Sequence, residues 1–138
     1  MGHTLLRVGT TYIPVSEVEK AVSWYSVNLD AVLKYRDEEK AILDLANHSL
    51  FLVKSKEGET ANFKDHNGRM RFSVTFEVEG MEALNSLHDE FIQKGVTVGE
   101  IENRGHAGRN FIFTDPDGNT FDVWSELSPA FKEMMIKK

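Results

Sequence analysis

A carboxylate and an indole share one face of a predicted β-hairpin at 111–126, near the end of the chain. Side chains alternate along a strand, so in the second strand Asp122 and Trp124 point one way while Phe121 and Val123 point the other. Burying an unpaired carboxylate is costly. Asp122 is therefore expected either to be reached by water or to bind a group that donates hydrogen bonds or carries positive charge.

A glycine-bounded loop leads into this hairpin and carries two further candidates, His106 and Arg109. Loops held by a rigid scaffold are where binding residues accumulate. His106 is a candidate binding residue or general base, and Arg109 is a candidate partner for an anionic group; a solvated surface loop is the alternative interpretation. The other histidines form no close-spaced ligand pair and are interpreted as solvated: His3 (native or a cloning remnant), His48, His66 and His88.

Composition restricts the classes of partner. The chain has 138 residues, of which 41% are hydrophobic and 28% charged, as expected for one globular domain. Its net charge of −6 disfavours nucleic acid and anionic membranes, because both require a basic face. The chain has no cysteine, and no apolar run is long enough for a signal peptide or a membrane span. A cytoplasmic protein is the expectation.

One order of elements, βαβββ, is predicted twice. The first copy has strands at 8–15, 32–36, 41–45 and 49–54, with a helix after the first of them. A capping box of Ser16 and Glu19 is expected to start that helix. The second copy has strands at 71–79, 96–101, 111–114 and 120–125, with a helix at 81–94. Val15 and Val78 lie 63 residues apart, as do Ala21 and Leu84, which indicates an internal repeat.

The repeat, the first-helix run EKAVSWYSVNL at 19–29 and the turn DPDGN at 115–119 together resemble the vicinal oxygen chelate superfamily. That group includes glyoxalase I, extradiol dioxygenases, fosfomycin-resistance enzymes and bleomycin-resistance proteins. The resemblance implies an α+β fold in which two tandem βαβββ modules form a cleft with their curved mixed sheets and carry their helices outside. It implies one domain over 1–138, with module one at about 8–54, a linker at 55–70, module two at about 71–126 and a C-terminal helix at 128–137.

Metal-dependent members of this superfamily carry one ligand on each of four cleft strands, usually His, Gln or Glu. In this chain the four positions fall on Thr10, Phe51, Ser73 and Asp122. Hydroxyl groups and a phenyl ring do not hold Ni²⁺, Zn²⁺ or Fe²⁺, so Asp122 is the only matching ligand position. The resemblance therefore implies a member that lacks most of the metal ligands. We expect no cofactor and disfavour a divalent metal.

Such a cleft suits an aromatic or planar small molecule, because apolar walls supply affinity and a few polar groups fix orientation. The predicted ligand-binding residues are Thr10, Tyr12, Phe51, Ser73, Thr75, His106, Arg109, Phe113, Asp122 and Trp124. Similarity to the bleomycin-resistance proteins implies a metal-free homodimer. The alternatives are a metal-dependent lyase, isomerase or dioxygenase of the glyoxalase I type with an atypical ligand set, metal-free catalysis by Asp122 or His106, and aromatic residues that only form core.

Overall fold

A computed structural model describes residues 4–136. His3 and the predicted last residue of the C-terminal helix, Lys137, lie outside that range. The chain divides into two compact units, a first unit of Met1–Ala61 and a second unit of Asn62–Lys138. The division falls inside the segment predicted as a linker, so that segment contributes residues to both units.

The first unit follows the predicted βαβββ order. Its elements are β1 (Thr10–Val15), α1 (Val18–Leu29), β2 (Val32–Arg36), β3 (Lys40–Leu45) and β4 (His48–Lys54). The sheet has the strand order β1-β4-β3-β2. β1 and β4 are parallel and the other pairs are antiparallel. The predicted mixed sheet is confirmed.

Helix α1 covers one face of this sheet. Its buried residues are Val18, Ala21, Val22 and Tyr25, which recur at helical spacing. The strands bury alternate residues, namely Ile13, Val15, Leu43, Leu50 and Leu52, all of which are 0 or 1% exposed. The helix contacts β3 and β4 of this sheet.

The predicted capping box is wrong. The N-cap of α1 is Glu17, in an extended conformation, and its side chain makes no capping hydrogen bond. Ser16 lies one residue before this cap, whereas a capping box needs its hydroxyl residue at the cap itself.

The second unit repeats the order with shorter strands. Its elements are β5 (Phe63–Lys64), β6 (Met70–Arg71), β7 (Thr75–Glu77), α2 (Met81–Lys94), β8 (Thr97–Val98), β9 (Asn110–Thr114), β10 (Thr120–Trp124) and α3 (Pro129–Ile136). The main sheet has the strand order β7-β10-β9-β8. As in the first unit, its first and last strands in chain order, β7 and β10, are neighbours and run parallel. The two long helices begin 63 residues apart, at Val18 and Met81. The predicted duplication is confirmed.

The strand predicted at 71–79 is split, which corrects that prediction. Met70–Arg71 pairs with Phe63–Lys64 in a separate two-stranded ribbon, and only Thr75–Glu77 joins the main sheet. The ribbon is closed by Asp65, whose Oδ1 accepts hydrogen bonds from the backbone N–H groups of Asn67 and Arg69 at 2.9 and 3.0 Å. The segment predicted as an exposed linker is thus partly ordered.

The turn of the β9–β10 hairpin forms as predicted. Asp115 Oδ1 accepts hydrogen bonds from the backbone N–H groups of Asp117 and Asn119, at 2.9 and 2.8 Å. Gly118 has φ 93° and donates its N–H to Asp115 O. Asn62 also holds this hairpin, because its amide donates to Gly118 O at 2.8 Å and accepts from Thr120 N at 2.9 Å. The hairpin is therefore fixed from within and from the preceding segment.

Helix α3 carries exposed apolar side chains, with Met134 49% and Met135 54% exposed. Over residues 4–136, no helix combines the length and the apolar character needed to cross a membrane.

Candidate functional site

Asp122 is the centre of a polar cluster on the face of the second sheet opposite α2. It is 3% exposed. Its Oδ2 accepts hydrogen bonds from Thr75 Oγ1 at 3.0 Å and from Asn110 Nδ2 at 2.9 Å. Thr75 is the direct β7 partner of Asp122, so the structure brings these two predicted residues together. Asn110 was missed, although it lies two residues before Ile112, the β9 partner of Asp122.

Arg104 supplies the positive charge beside this carboxylate. Its Nη1 lies 3.1 Å from Asp122 Oδ1, and its Nε donates to Glu102 Oε1 at 2.9 Å. The guanidinium lies 5.9 Å from the centre of the Phe72 ring, within the range of a cation–π contact. Sequence reasoning missed Arg104, because its place depends on the path of the loop between β8 and β9.

Two buried oxygen atoms of the cluster lack a hydrogen bond from any residue in 4–136. They are Asn110 Oδ1 and Asp122 Oδ1. For Asp122 Oδ1, the contact with Arg104 is an ion pair without the alignment of a hydrogen bond, which is why both descriptions hold. Buried acceptors are normally satisfied. The cluster therefore offers more acceptors than its own donors fill.

The loop that carries Arg104 also brings His106 to Trp124. The two rings meet edge to face with centroids 5.8 Å apart, and Trp124 Nε1 donates to Ala107 O at 2.9 Å. His106 Nδ1 lies 2.8 Å from the same carbonyl oxygen. Because a carbonyl only accepts, Nδ1 carries the proton in this contact, so in the neutral ring Nε2 is the acceptor, at an exposed position. The structure thus places His106 and Trp124 side by side.

Gly108 is where this loop meets β10. Its φ is 74°, and a Cβ there would lie 2.5 Å from Ser125 Oγ and 3.0 Å from Trp124 Nε1. Only glycine allows both the left-handed backbone and this close approach. Gly108 therefore determines how the loop passes Trp124.

Three other predicted residues have different surroundings. Phe113 is a correction: it is 1% exposed, and its ring lies 4.9 Å from Phe91 of α2. Its register partner is Phe121, so both occupy the helix-covered face. The Arg109 guanidinium donates to Gly108 O at 3.0 Å, within its own loop. Ser73 is an exposed bend outside the strands.

The remaining predicted residues, Thr10, Tyr12 and Phe51, belong to the first unit and share the sheet face opposite α1. The rings of Tyr12 and Phe51 stack with centroids 4.8 Å apart and an interplanar angle of 12°. The register continues this row across the sheet through Ile42 to Tyr35. Tyr12 is 64% exposed. Sequence alternation in β2 and β3 was the available signal for the two missed members of this row.

Tyr35, the last member of that row, contacts the charged turn between β2 and β3. Its hydroxyl donates to Asp37 Oδ2 at 2.7 Å, and Lys40 Nζ lies 2.8 Å from the same oxygen. The hydrogen bond from Lys40, followed by that from Tyr35, lowers the pKa of Asp37 well below its ordinary value of 3.8. The hydrogen bond to Asp37 raises the pKa of Tyr35 and likewise that of Lys40. The turn is thus a coupled acid–base group on the surface.

The donor chemistry at the four metal-ligand positions does not fit a divalent first-row metal. Thr10 offers a hydroxyl and Phe51 a stacked phenyl ring, while Ser73 lies outside the strands. The Asp122 oxygens already face Thr75, Asn110 and Arg104. Within residues 4–136, no group of three or more His, Cys, Asp or Glu side chains is placed to hold a metal ion.

The two units define a class of fold: a duplicated βαβββ arrangement with open mixed sheets, each backed by a helix. The sequence model of the Glyoxalase/Bleomycin resistance protein/Dioxygenase superfamily matches residues 1–123, and the chain belongs to this superfamily. The resemblance expected from the repeat and its motifs is confirmed.

Solved structures share this fold at low identity. Lactoylglutathione lyase from Agrobacterium tumefaciens is 12% identical, with a TM-score of 0.69 over 88% of this chain and 95% of that one. The fosfomycin resistance protein FosX from Listeria monocytogenes is 15% identical, with a TM-score of 0.67 over 93% and 97%. A glyoxylase/bleomycin resistance protein/dioxygenase domain from Frankia sp. EAN1pec is 20% identical, with a TM-score of 0.69 over 90% and 100%. These identities establish a shared fold only.

Proposed function

We propose that this protein binds an aromatic or planar small molecule, without a metal, on the sheet face that presents Asp122 and Trp124. The observation that carries the proposal is a buried carboxylate with an incompletely satisfied oxygen on the same strand face as a partly exposed indole. Apolar surface supplies most of the affinity for small ligands, and a few buried polar groups orient them. This pair supplies both.

Each neighbour has a distinct part in the proposed binding. Thr75 and Asn110 orient the Asp122 carboxylate by donating to Oδ2, which directs the other oxygen away from them. Trp124 offers a ring face whose tilt is fixed by the hydrogen bond to Ala107 O. His106 lies beside that ring and presents Nε2 as an acceptor. A ligand with a flat ring and hydrogen-bond donors is complementary to this arrangement.

The binding test is a thermal-shift and fluorescence screen against planar aromatic compounds. The chain has two tryptophans, so Trp24→Phe leaves Trp124 as the only indole reporter. We expect ligands to quench this reporter and to raise the melting temperature. Asp122→Asn and Trp124→Ala should each weaken binding by about tenfold, the cost of one charged hydrogen bond or one stacking contact. Ligands whose affinity is unchanged by both substitutions would contradict the proposal.

The metal-free part of the proposal is tested separately by elemental analysis of protein purified without chelators. It is supported by the donor chemistry at Thr10, Phe51 and Ser73, which supplies no imidazole or carboxylate. Near-stoichiometric Ni, Zn, Fe or Mn that is lost in Asp122→Asn would favour the alternative function, a metal-dependent lyase, isomerase or dioxygenase. We expect substoichiometric metal that is equal in both proteins.

We also propose that the protein is a homodimer. The proposal is supported by the exposed apolar side chains of strand β2, which lies at the edge of the first sheet. Val32 is 54% and Leu33 is 44% exposed. Light scattering coupled to size exclusion should give twice the 15.7 kDa of one chain. The mass of a single chain at micromolar concentration would contradict this.

A further inference from the structure

We propose that the Asp122 cluster is a receptor for a guanidinium or amidinium cation and that Arg104 is its internal occupant, which an external cation of the same chemistry displaces. This inference rests on the proposed function and names the class of ligand: a planar aromatic body that carries an amidinium or guanidinium group. It starts from the charge balance of the cluster.

The cluster has more negative charge and more acceptors than one guanidinium satisfies. Arg104 faces two carboxylates, Asp122 at 3.1 Å and Glu102 at 2.9 Å. Asn110 adds a buried carbonyl oxygen that accepts no hydrogen bond from the described part of the chain. A cation with several N–H donors in one plane matches this excess.

The surroundings of Arg104 are those that recognise such a cation. Its guanidinium lies close to both a buried carboxylate, Asp122, and an aromatic ring, Phe72, with 5.9 Å from Cζ to the ring centroid. Carboxylates bind planar guanidinium groups through paired N–H donors, and aromatic faces bind them through cation–π attraction. The Arg104 side chain is thus itself an example of the guanidinium group that the Asp122 cluster would bind.

Arg104 is nevertheless a replaceable occupant. Its Nη1 makes an ion pair with Asp122 Oδ1 but no aligned hydrogen bond, and 28% of its side chain is exposed. It lies on a loop in which residues 102–107 are all exposed, and nothing lies within 4 Å of a Cβ built on Gly105. An external amidinium that aligns its donors with Asp122 Oδ1 and Asn110 Oδ1 gains hydrogen bonds that Arg104 does not make.

Benzamidine is the probe, since it joins a planar ring to an amidinium, and benzamide is its neutral analogue. Arg104→Ala should bind benzamidine at least about tenfold more tightly than the original chain by calorimetry, because the competing cation is gone. Benzamide affinity should be the same in both proteins. Arg104→Ala combined with Asp122→Asn should lose the gain.

Arg71→Ala is the matched control. The Arg71 guanidinium also lies over the Phe72 ring, at 6.0 Å, but its carboxylate partner is Asp65 at 3.6 Å. Its removal should leave benzamidine affinity unchanged. Should Arg104→Ala fail to fold, Arg104→Gln retains much of the stem and removes the charge, and the same gain is expected. Benzamidine binding to these Arg104 variants that is no tighter than to the original chain would overturn the inference, as would an equal gain for benzamide.

The outcomes separate this inference from the proposed function. If neutral planar compounds quench Trp124 but Arg104→Ala and Arg104→Gln show no gain in benzamidine affinity, the proposed function is supported. The inference that Arg104 occupies a cation site is then wrong. If no neutral compound binds while the Arg104 variants gain benzamidine affinity that survives Trp124→Ala, the cation receptor stands and the aromatic part of the proposed function fails.

Discussion

Three side chains at the β2–β3 turn of the first unit are joined by hydrogen bonds: Tyr35 and Lys40 both donate to Asp37. Asp37 has a lowered pKa, so its contribution to stability is present above its ordinary value of 3.8 and is lost as the pH falls through the lower folded value. Tyr35 and Lys40 have raised pKa values. Their contributions are complete below the ordinary values of 10.0 and 10.5 and are lost as the pH rises through the folded values. The turn should therefore loosen at both extremes of pH.

Asp37→Asn should lower the pKa of Tyr35, because the charged carboxylate that accepts the hydroxyl's hydrogen bond is replaced by a neutral amide. The measurement is a phenolate absorbance titration, with Tyr35→Phe used to identify the contribution of this one tyrosine. Asp89→Asn on α2 removes an acidic side chain outside this turn and serves as the control. Equal Tyr35 titration curves for Asp37→Asn and Asp89→Asn would contradict the expectation.

In the candidate site around Asp122, alternation along the strands was enough to predict some of the residues. It placed Asp122 and Trp124 opposite Phe121 and Val123, and it placed Thr75 on the side of Asp122. Arg104 was beyond such reasoning, because the position of a loop side chain follows from long-range packing that no local period records. For a simpler reason, Asn110 was missed and Phe113 was wrongly assigned to the ligand-binding face.

Both errors come from the register of the β9–β10 hairpin. Counting residues outward from the turn in the sequence would have given this register. A tight turn pairs residues symmetrically about itself, and here it pairs Phe113 with Phe121. Residues that pair directly across a sheet share a face. Phe113 therefore belongs with the core, whereas Asn110, three residues earlier, belongs with Asp122.

Two loops show how far turn chemistry determines the elements around them. Asn67-Gly68 follows Phe63–Lys64 and precedes Met70–Arg71, a hairpin signal that the prediction of a continuous strand from 71 overlooked. The loop before β9 instead depends on Gly108, which approaches Trp124 and Ser125. The β5–β6 hairpin could therefore be predicted from its local sequence, whereas the path of the loop before β9 depends on a tertiary contact.

Gly108→Ala should destabilise the protein by more than about 1 kcal/mol, because it adds a clash with Ser125 Oγ to the cost of a left-handed alanine. It should also change the fluorescence of Trp124. Gly105→Ala is the matched control: its φ of 91° carries the same conformational cost, but nothing lies within 4 Å of the added methyl. Equal free energies of unfolding for the two variants would show that the close approach contributes nothing.

The β3–β4 turn offers a change of the opposite sign. Ala46 and Asn47 connect the paired residues Leu45 and His48, with φ values of 53° and 59°. Both central residues are left-handed, which is the pattern of a type I′ turn. Ala46→Gly should raise the free energy of unfolding by about 1 kcal/mol, since alanine is disfavoured in this conformation.

Chemical denaturation measures this gain, and Ala83→Gly in α2 is the control. In a helix the same replacement should lower stability by about 1 kcal/mol. A loss of stability in Ala46→Gly comparable to that in the helix would contradict the conformational explanation.

Across the whole chain the duplicated fold is unequal in its two copies. The first unit has β1, β3 and β4 of six, six and seven residues. In the second unit β7 has three residues and β8 has two. The sequence predicted the order of elements in both copies because the repeat is periodic. It did not predict the short strands, because strand length depends on which backbone groups find partners.

Hydrogen exchange should reflect this inequality. We expect amides in β1, β3 and β4 to exchange more slowly than those in β7 and β8, because short strands have few protected backbone hydrogen bonds. Mass spectrometry of peptic fragments can compare them. The β9–β10 hairpin should be the protected part of the second unit, and Asn62→Ala should accelerate its exchange while Asn67→Ala should not. Uniform protection of all strands would contradict the expectation.

The parallel pairs of the two sheets also have an evolutionary consequence. Tyr12 pairs with Phe51 in the first unit, and Thr75 pairs with Asp122 in the second, at positions that correspond in the repeat. A gene that encodes the same framework twice can mutate one copy while the other stays intact. Here the first unit has stacked rings at these positions, and the second has a hydroxyl that donates to a carboxylate. The two copies can therefore be altered separately, and libraries that randomise Phe51 and Asp122 independently would test which of these positions changes ligand binding.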